Sequence, residues 1–217
     1  MSNCCCGPGS AIDKHFDVTI AERDLQKYST KGPNSTTRRL RDQVLKNGVG
    51  DSVLDIGSGI GAVSFEFLAA GYSRSVALDI SIAYTITARD EAQRRGVGDR
   101  ITVLQGDFTQ PTLSIPLVDT VVLDRVVCCY PEYRPLLERA LHHSLRLFAF
   151  SYPRDRWYIR TIMAIENIKR RSQHDTFRTV VHSAQAMEDL IGSQGFQRVG
   201  RSGSIAWVVD VYRRVAT

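Results

Sequence analysis

Short apolar runs alternate with longer stretches of helical periodicity over most of the chain. The runs are Ser52-Val-Leu-Asp-Ile56, Ser75-Val-Ala-Leu-Asp-Ile80, Ile101-Thr-Val-Leu-Gln105, Asp119-Thr-Val-Val-Leu-Asp124 and Leu145 to Ser151. Apolar runs this short suit strands buried on both faces. The stretches between them, from about Ile60 to Ala70 and onward through Arg94, have helical spacing. Strands alternating with helices imply βαβ units and a parallel sheet. Two more helices are predicted at Pro135–Ser144 and Ala184–Ser193. Phe196–Arg201 and Ala206–Tyr212 then read as an antiparallel pair closing on the turn Ser202-Gly203-Ser204.

The N-terminal part has a different texture. From about Lys14 to Leu45 it is polar and helical, interrupted at Ser29-Thr-Lys-Gly-Pro-Asn-Ser35. Gly-Pro-Asn-Ser cannot continue a helix, so Ser35 or Thr36 is expected to cap a basic helix carrying Arg38, Arg39 and Arg41. Residues 1–12 offer few core-forming side chains and read as a mobile, cysteine-rich arm. No repeat or low-complexity linker divides the rest. Residues 13–217 are predicted to form one domain, with 13–48 as a helical cap and 153–182 as a lid-like insertion.

Composition narrows the class. At 217 residues, 43% hydrophobic and 24% charged, the chain is neither disordered nor collagen-like. No apolar run approaches the roughly 20 residues of a membrane span. The first residues lack a basic stretch followed by an apolar one, so no signal peptide is expected and a cytoplasmic location is. The net charge of +5 permits an acidic or nucleic-acid partner without requiring one. The five cysteines are bunched as Cys4-Cys5-Cys6 and Cys128-Cys129, which reads as reduced thiols rather than a disulfide framework. Without Cys-x-x-Cys spacing no structural metal site is expected, although thiolates do favour soft metals and metalloids.

The chemistry concentrates in Val53-Leu-Asp-Ile-Gly-Ser-Gly-Ile-Gly61-Ala62, a glycine loop between a strand and a helix. Gly57, Gly59 and Ala62 also satisfy a dinucleotide fingerprint, so the loop alone is ambiguous. The acids around it separate the readings. Asp55 precedes the loop. Asp79 ends the second strand, placed for two ribose hydroxyls. Asp107, in Gly106-Asp-Phe108, follows the third. Acids at three successive strand ends suit a ligand without phosphates.

Taken in order, Asp55-Ile-Gly-Ser-Gly-Ile-Gly61, Leu78-Asp79, Gly106-Asp107-Phe108 and Val118-Asp-Thr-Val-Val-Leu-Asp124 resemble the motifs of class I S-adenosylmethionine-dependent methyltransferases. The resemblance implies an α/β, Rossmann-like fold with a seven-stranded sheet in the order 3-2-1-4-5-7-6. Strand seven would be antiparallel, with helices on both faces and a helical lid at the N-terminus. It implies S-adenosyl-L-methionine as cofactor. Gly57, Gly59 and Gly61 would meet its methionine part, Asp79 the ribose, Asp107 the adenine N6 and Phe108 the adenine ring. Asp55, Ser58, Ile80, Asp124 and Arg125 complete the expected cofactor set.

A narrower likeness lies in Leu123-Asp-Arg-Val-Val-Cys-Cys-Tyr-Pro131, which is similar to the Leu-Asp…His-Tyr-Pro segment of magnesium-protoporphyrin O-methyltransferases. Cys129 stands where that pattern has histidine. The Tyr28-Ser-Thr-Lys-Gly32 region and the Arg-rich helix after it resemble that family's lid. Tyr28, Cys129 and Tyr130 are accordingly the candidates for the transfer site. His182 is a further candidate for the cleft.

Residues 154–178 carry seven basic residues against three acidic, interleaved with Trp157, Tyr158, Ile159, Ile162, Met163 and Ile165 at helical spacing. An amphipathic lid over an acidic or amphiphilic small molecule is expected there. Nucleic acid is disfavoured as a partner, because the basic residues form no long run. The expected activity is methyl transfer to a small carboxylate, thiol or metalloid. A cofactor-binding thiol or metal sensor without turnover and an RNA methyltransferase are the alternatives.

Overall fold

The computed structural model describes residues 8–215. Seven strands form one sheet: β1 (Ser52–Ile56), β2 (Arg74–Asp79), β3 (Ile101–Gln105), β4 (Val118–Leu123), β5 (Ser144–Pro153), β6 (Phe196–Gly203) and β7 (Trp207–Arg214). Their order is β3-β2-β1-β4-β5-β7-β6. The β1–β2, β2–β3, β1–β4 and β4–β5 pairs are parallel, and β7 runs antiparallel to β5 and β6. The expected fold is the observed one.

Continuous hydrophobicity of the central strands follows from their having two covered faces. Val121, Leu123, Phe148, Phe150 and Tyr212 enter one core cluster, while their neighbours Val122, Leu147, Ala149, Val209 and Val211 enter another. The first face is covered by α6 (Tyr133–His143) and α8 (Ala184–Ser193), through Leu136, Leu137, Met187 and Ile191. The second is covered by α3 (Ser35–Leu45) and α4 (Ala62–Ala69), through Leu40, Val44, Val63 and Phe67. A third cluster joins α2 (Val18–Lys31), α4 and α5 (Ile82–Arg94) through Ala21, Tyr28, Phe65 and Ala92. That cluster sets the N-terminal helices beside the glycine loop.

The N-terminus departs from expectation. Pro8–His15 is helical (α1), so the segment read as an arm is ordered from Pro8. The helix is held by tertiary contacts: Ile12 is buried, Asp13 accepts a hydrogen bond from the Ile82 N–H (3.0 Å), and the Ser81 hydroxyl donates to the Phe16 carbonyl (2.6 Å). Cys4-Cys5-Cys6 lies outside the described residues. The cap of α3 is Asn34, not Ser35 or Thr36; its side chain accepts from the Thr36 and Thr37 N–H groups at 2.9 and 3.0 Å. An amide oxygen one residue earlier serves the same two orphan donors. The break between α2 and α3 is thereby shortened to Gly32-Pro33-Asn34, and the β6–β7 turn falls at Ser204-Ile205-Ala206.

The insertion contains α7 (Trp157–Ser172), which buries only Ile159. Its apolar stripe faces outward rather than into a cleft. No helix among the described residues is long and apolar enough to cross a membrane.

Candidate active site

The carboxyl ends of β1, β2 and β4 open into a cavity of about 430 Å³. That is within the roughly 300–1,000 Å³ of small-molecule sites. Its floor is the glycine loop, its sides are Leu78, Asp79, Ile80, Phe108 and Asp124 through Val126, and its cover comes from α1, α2 and the start of α3. No residue of 153–182 lines it. Its wall is therefore built by the N-terminal helices and not by the insertion.

The loop between β1 and α4 runs through three left-handed glycines, Gly57 (φ +67°), Gly59 (+54°) and Gly61 (+83°). At Gly57 the requirement is doubled, because a Cβ there would come within 2.5 Å of Val126 Cγ2. The loop's N–H groups point home. Gly57 N and Ser58 N donate to the Leu78 carbonyl at 2.7 and 3.0 Å, and Gly59 N donates to Asp79 Oδ2 at 2.8 Å. A phosphate-binding loop must keep such donors free. This one has used them.

Asp79 is buried, and its other oxygen accepts from Ser81 N (2.8 Å). Burial raises its pKa from 3.8 to about 6 despite these bonds. Each oxygen keeps a second lone pair for a ligand donor. Asp55 lies behind the loop, fully buried. Its Oδ2 accepts from the backbone and hydroxyl of Ser64, and its Oδ1 has no partner. Burial first, then the nearby Asp124 and Asp79 charges, push Asp55 up to about 7. The Ser58 hydroxyl, in the cavity wall, like Asp55 Oδ1 has no partner among the described residues.

The turn after β4 is held from two sides. Asp124 accepts from Thr37 Oγ1 (2.5 Å) of α3 and from Ser151 Oγ (2.6 Å) of β5, and Ser151 Oγ itself accepts from Arg125 N (2.7 Å). Arg125 adopts a left-handed backbone (φ +64°), a strained conformation for a side-chain-bearing residue, at the cavity edge. Its carbonyl faces the Cys128 and Cys129 thiols at 3.5 and 3.7 Å. His182 closes the turn from behind, with Nε2 3.2 and 3.0 Å from the carbonyls of Val127 and Tyr130. It sits outside the cavity wall.

Among the candidate transfer residues, Tyr28, Cys129 and Tyr130 all line the cavity, but none is primed as a base. The Tyr28 hydroxyl donates to Glu66 (3.0 Å), and burial holds its pKa above the usual phenol range. Cys128 is buried; the neighbouring Cys128 thiol, and then burial, push the Cys129 thiol up, keeping it neutral. Tyr130 is buried with its hydroxyl 3.4 Å from Asp107 and its pKa raised, chiefly by burial. Asp107 is not in the wall; its Oδ1 caps the Thr109 N–H and hydroxyl at 2.9 and 2.8 Å. Phe108, fully buried, is in the wall.

Several wall residues carried no sequence signal. Tyr84 of α5 stands over Gly59, donates to Asp24 (2.8 Å) and packs on Phe16, with ring centroids 5.4 Å apart. Asp24 and Lys27 of α2, Thr37 of α3 and Ile12 of α1 join the wall as well. They come from helices far from the motifs, and periodicity does not report which helix faces a ligand.

A seven-stranded sheet of this order, with a glycine loop and an acid at the end of β2, defines a Rossmann-like fold of the class I methyltransferase type. Residues 53–147 match the family described as methyltransferase domain, and the fold of the whole chain is that of the class I methyltransferases. The chain is similar in structure to magnesium protoporphyrin IX methyltransferase from Synechocystis PCC 6803 with bound SAH. The TM-score is 0.76 at 18% identity, covering 96% of this chain and 100% of that one. It is 32% identical over 100 residues to the probable cobalt-precorrin-6B C(15)-methyltransferase (decarboxylating) of Methanothermobacter thermautotrophicus, covering 46% of this chain and 52% of that protein. It is 28% identical over 163 residues to the probable protein arginine N-methyltransferase 1.2 of Arabidopsis thaliana, covering 70% of this chain and 41% of that protein. The chain thus spans about half the length, or less, of these two curated relatives.

Proposed function

We propose that the protein transfers the methyl group of S-adenosylmethionine to a small anionic acceptor. The observation that carries this reading is the loop whose N–H donors at 57–59 are consumed by β2 while Asp79 stands beside it. Such a site repels a pyrophosphate and accepts a sugar. The residues fit the cofactor on three further counts. Ser58 Oγ and Asp55 Oδ1 are buried polar atoms without partners. Ile80, Phe108 and Val126 offer apolar surface for a planar base. Burial, and then the Asp124 and Asp79 charges, raise the proton affinity of Asp55, a cost that a cationic ligand relieves.

When bound, the cofactor supplies an electrophilic methyl group on a sulfonium, open to in-line attack. The chain's part is to bind, orient and exclude water. Asp79 would accept from the ribose hydroxyls, Gly57, Ser58 and Gly59 would hold the methionine part, and Asp124 with Arg125 fixes the turn after β4 at the cavity edge. Tyr28, Cys129 and Tyr130 confine the acceptor. With Tyr28 and Tyr130 above the phenol range and Cys129 neutral, these three candidates supply no strong base at neutral pH, which favours an acceptor that arrives ionised, a carboxylate above all. Lys27 and Arg125 are the cations in the wall, each 3.9 Å from an acid there, Asp24 and Asp124 respectively. The test is transfer of label from methyl-labelled S-adenosylmethionine to a panel of small carboxylic acids and thiols. Labelled esters with stoichiometric S-adenosylhomocysteine support the reading. Turnover restricted to peptide or RNA acceptors contradicts it.

A further inference from the structure

We propose that the outward face of α7 docks on the surface of an anionic phospholipid bilayer. The helix exposes Trp157, Ile162, Ile165 and Ile168 to 78, 55, 58 and 68%. At about 100° per residue these four fall within one arc of roughly 140°, the width of an interfacial apolar face. The patch continues off the helix: the Tyr158 hydroxyl donates to the Ile205 carbonyl (3.3 Å), and Ile205 in the β6–β7 turn is 81% exposed. Contiguous exposed apolar surface of this kind marks a contact site.

Charge selects the occupant. Within Trp157–Ser172 there are four cations, Arg160, Lys169, Arg170 and Arg171, and one acid, Glu166. Lys169 lies at one border of the apolar arc and Arg171 beyond the other. Arg156, Lys169 and Arg171 are exposed and make no ion pair among the described residues, whereas Arg160 is bound to Asp155. A negatively charged lipid surface complements these cations, while the long stems of Lys and Arg let their heads reach the phosphates as Trp157 and the isoleucines enter the acyl boundary. At sixteen residues the helix is too short to span a bilayer and lies in its plane. No α7 residue lines the cavity, so docking leaves the cavity wall intact.

The test is co-sedimentation of the full chain with phosphatidylcholine vesicles, with and without phosphatidylglycerol. Binding to the anionic vesicles is expected to be about tenfold or more tighter than to the neutral ones and to weaken with salt. Ile165→Asp with Ile168→Asp, and separately Lys169→Glu with Arg171→Glu, should each abolish it while leaving S-adenosylhomocysteine affinity and circular dichroism unchanged. The charge reversals lie on exposed side chains and keep the test valid if the apolar pair impairs folding. Failure of the native chain to pellet with anionic vesicles at low salt overturns the proposal. So does a dimer, seen by light scattering, that Ile165→Asp with Ile168→Asp disperses, because the face would then belong to a second copy.

Discussion

Replacing Gly57 by alanine perturbs the loop in two separable ways. The residue sits at φ +67°, and an added Cβ would come within 2.5 Å of Val126 Cγ2 and 3.1 Å of Cγ1. A left-handed conformation costs a side-chain-bearing residue roughly 1–2 kcal/mol. Forcing a methyl into packed surroundings costs about 1–3 kcal/mol more. The sum, about 2–5 kcal/mol, should lower Tm by roughly 4–20 °C in a chain of this length. Gly59→Ala separates the two effects. Its φ is also left-handed (+54°), but the nearest atom to an added Cβ is Tyr84 Cζ at 3.9 Å, so it should show the strain alone. Gly57→Ala with Val126→Ala should recover the overlap and not the strain, a coupling of about 1–3 kcal/mol. Thermal unfolding of the native chain, these three variants and Val126→Ala alone, with calorimetric titration of S-adenosylhomocysteine, measures all of this. Equal effects at Gly57 and Gly59, or no coupling with Val126, would refute the steric account of the loop.

Three other outcomes follow from the electrostatics and packing. Asp55 and Asp79 bind protons more tightly folded (about 7 and about 6) than unfolded (3.8), so the ligand-free protein should gain stability from them as pH falls from about 7 towards 4. Asp55→Asn should flatten that rise in a thermal-shift series, and an unchanged slope would show that Asp55 is not the group. A cationic ligand favours the ionised carboxylates, so binding S-adenosylmethionine near pH 7 should release protons; calorimetry in buffers of different ionisation enthalpy reads this, and buffer-independent heats would exclude it. Ser151→Ala removes two part-buried hydrogen bonds, one to Asp124 and one from Arg125 N, and should cost about 1–3 kcal/mol of stability. Activity should fall with the loosened turn, and a variant with native Tm and turnover would show that the turn does not need this support.

The central strands β1, β4 and β5 were legible because most of their residues are buried on both faces, and so read as near-continuous apolar runs. β1, β3 and α8 stand at the predicted residues, and the strand order follows the resemblance. Legibility failed where tertiary contacts decide. Pro8–His15 spans only eight residues and is held by Asp13, Ile12 and the adjacent Phe16 against the start of α5. In α7 the 3.6-residue period of the apolar positions is visible in the sequence, but a period has no sign, and Ile162, Ile165 and Ile168 face solvent instead of a cleft. In the site, Gly57, Gly59, Asp79 and Asp124 line one cavity, whereas Asp55, Gly61 and Asp107 are not in its wall and Asp107 Oδ1 accepts from Thr109 N. Thr37, Ser151 and Tyr84 are ordinary residues in ordinary elements. Only the fold puts them beside Asp124, Arg125 and Gly59.

The measurement that bears most directly on the account is calorimetric titration of the native chain and Asp79→Ala with S-adenosylhomocysteine and with NAD. S-adenosylhomocysteine should bind the native chain, NAD should not, and Asp79→Ala should lose on the order of 2 kcal/mol or more with the charge-assisted ribose hydrogen bonds. Nicotinamide dinucleotide binding as tight as that of S-adenosylhomocysteine, or an Asp79→Ala variant that binds as well as the native chain, would contradict the account.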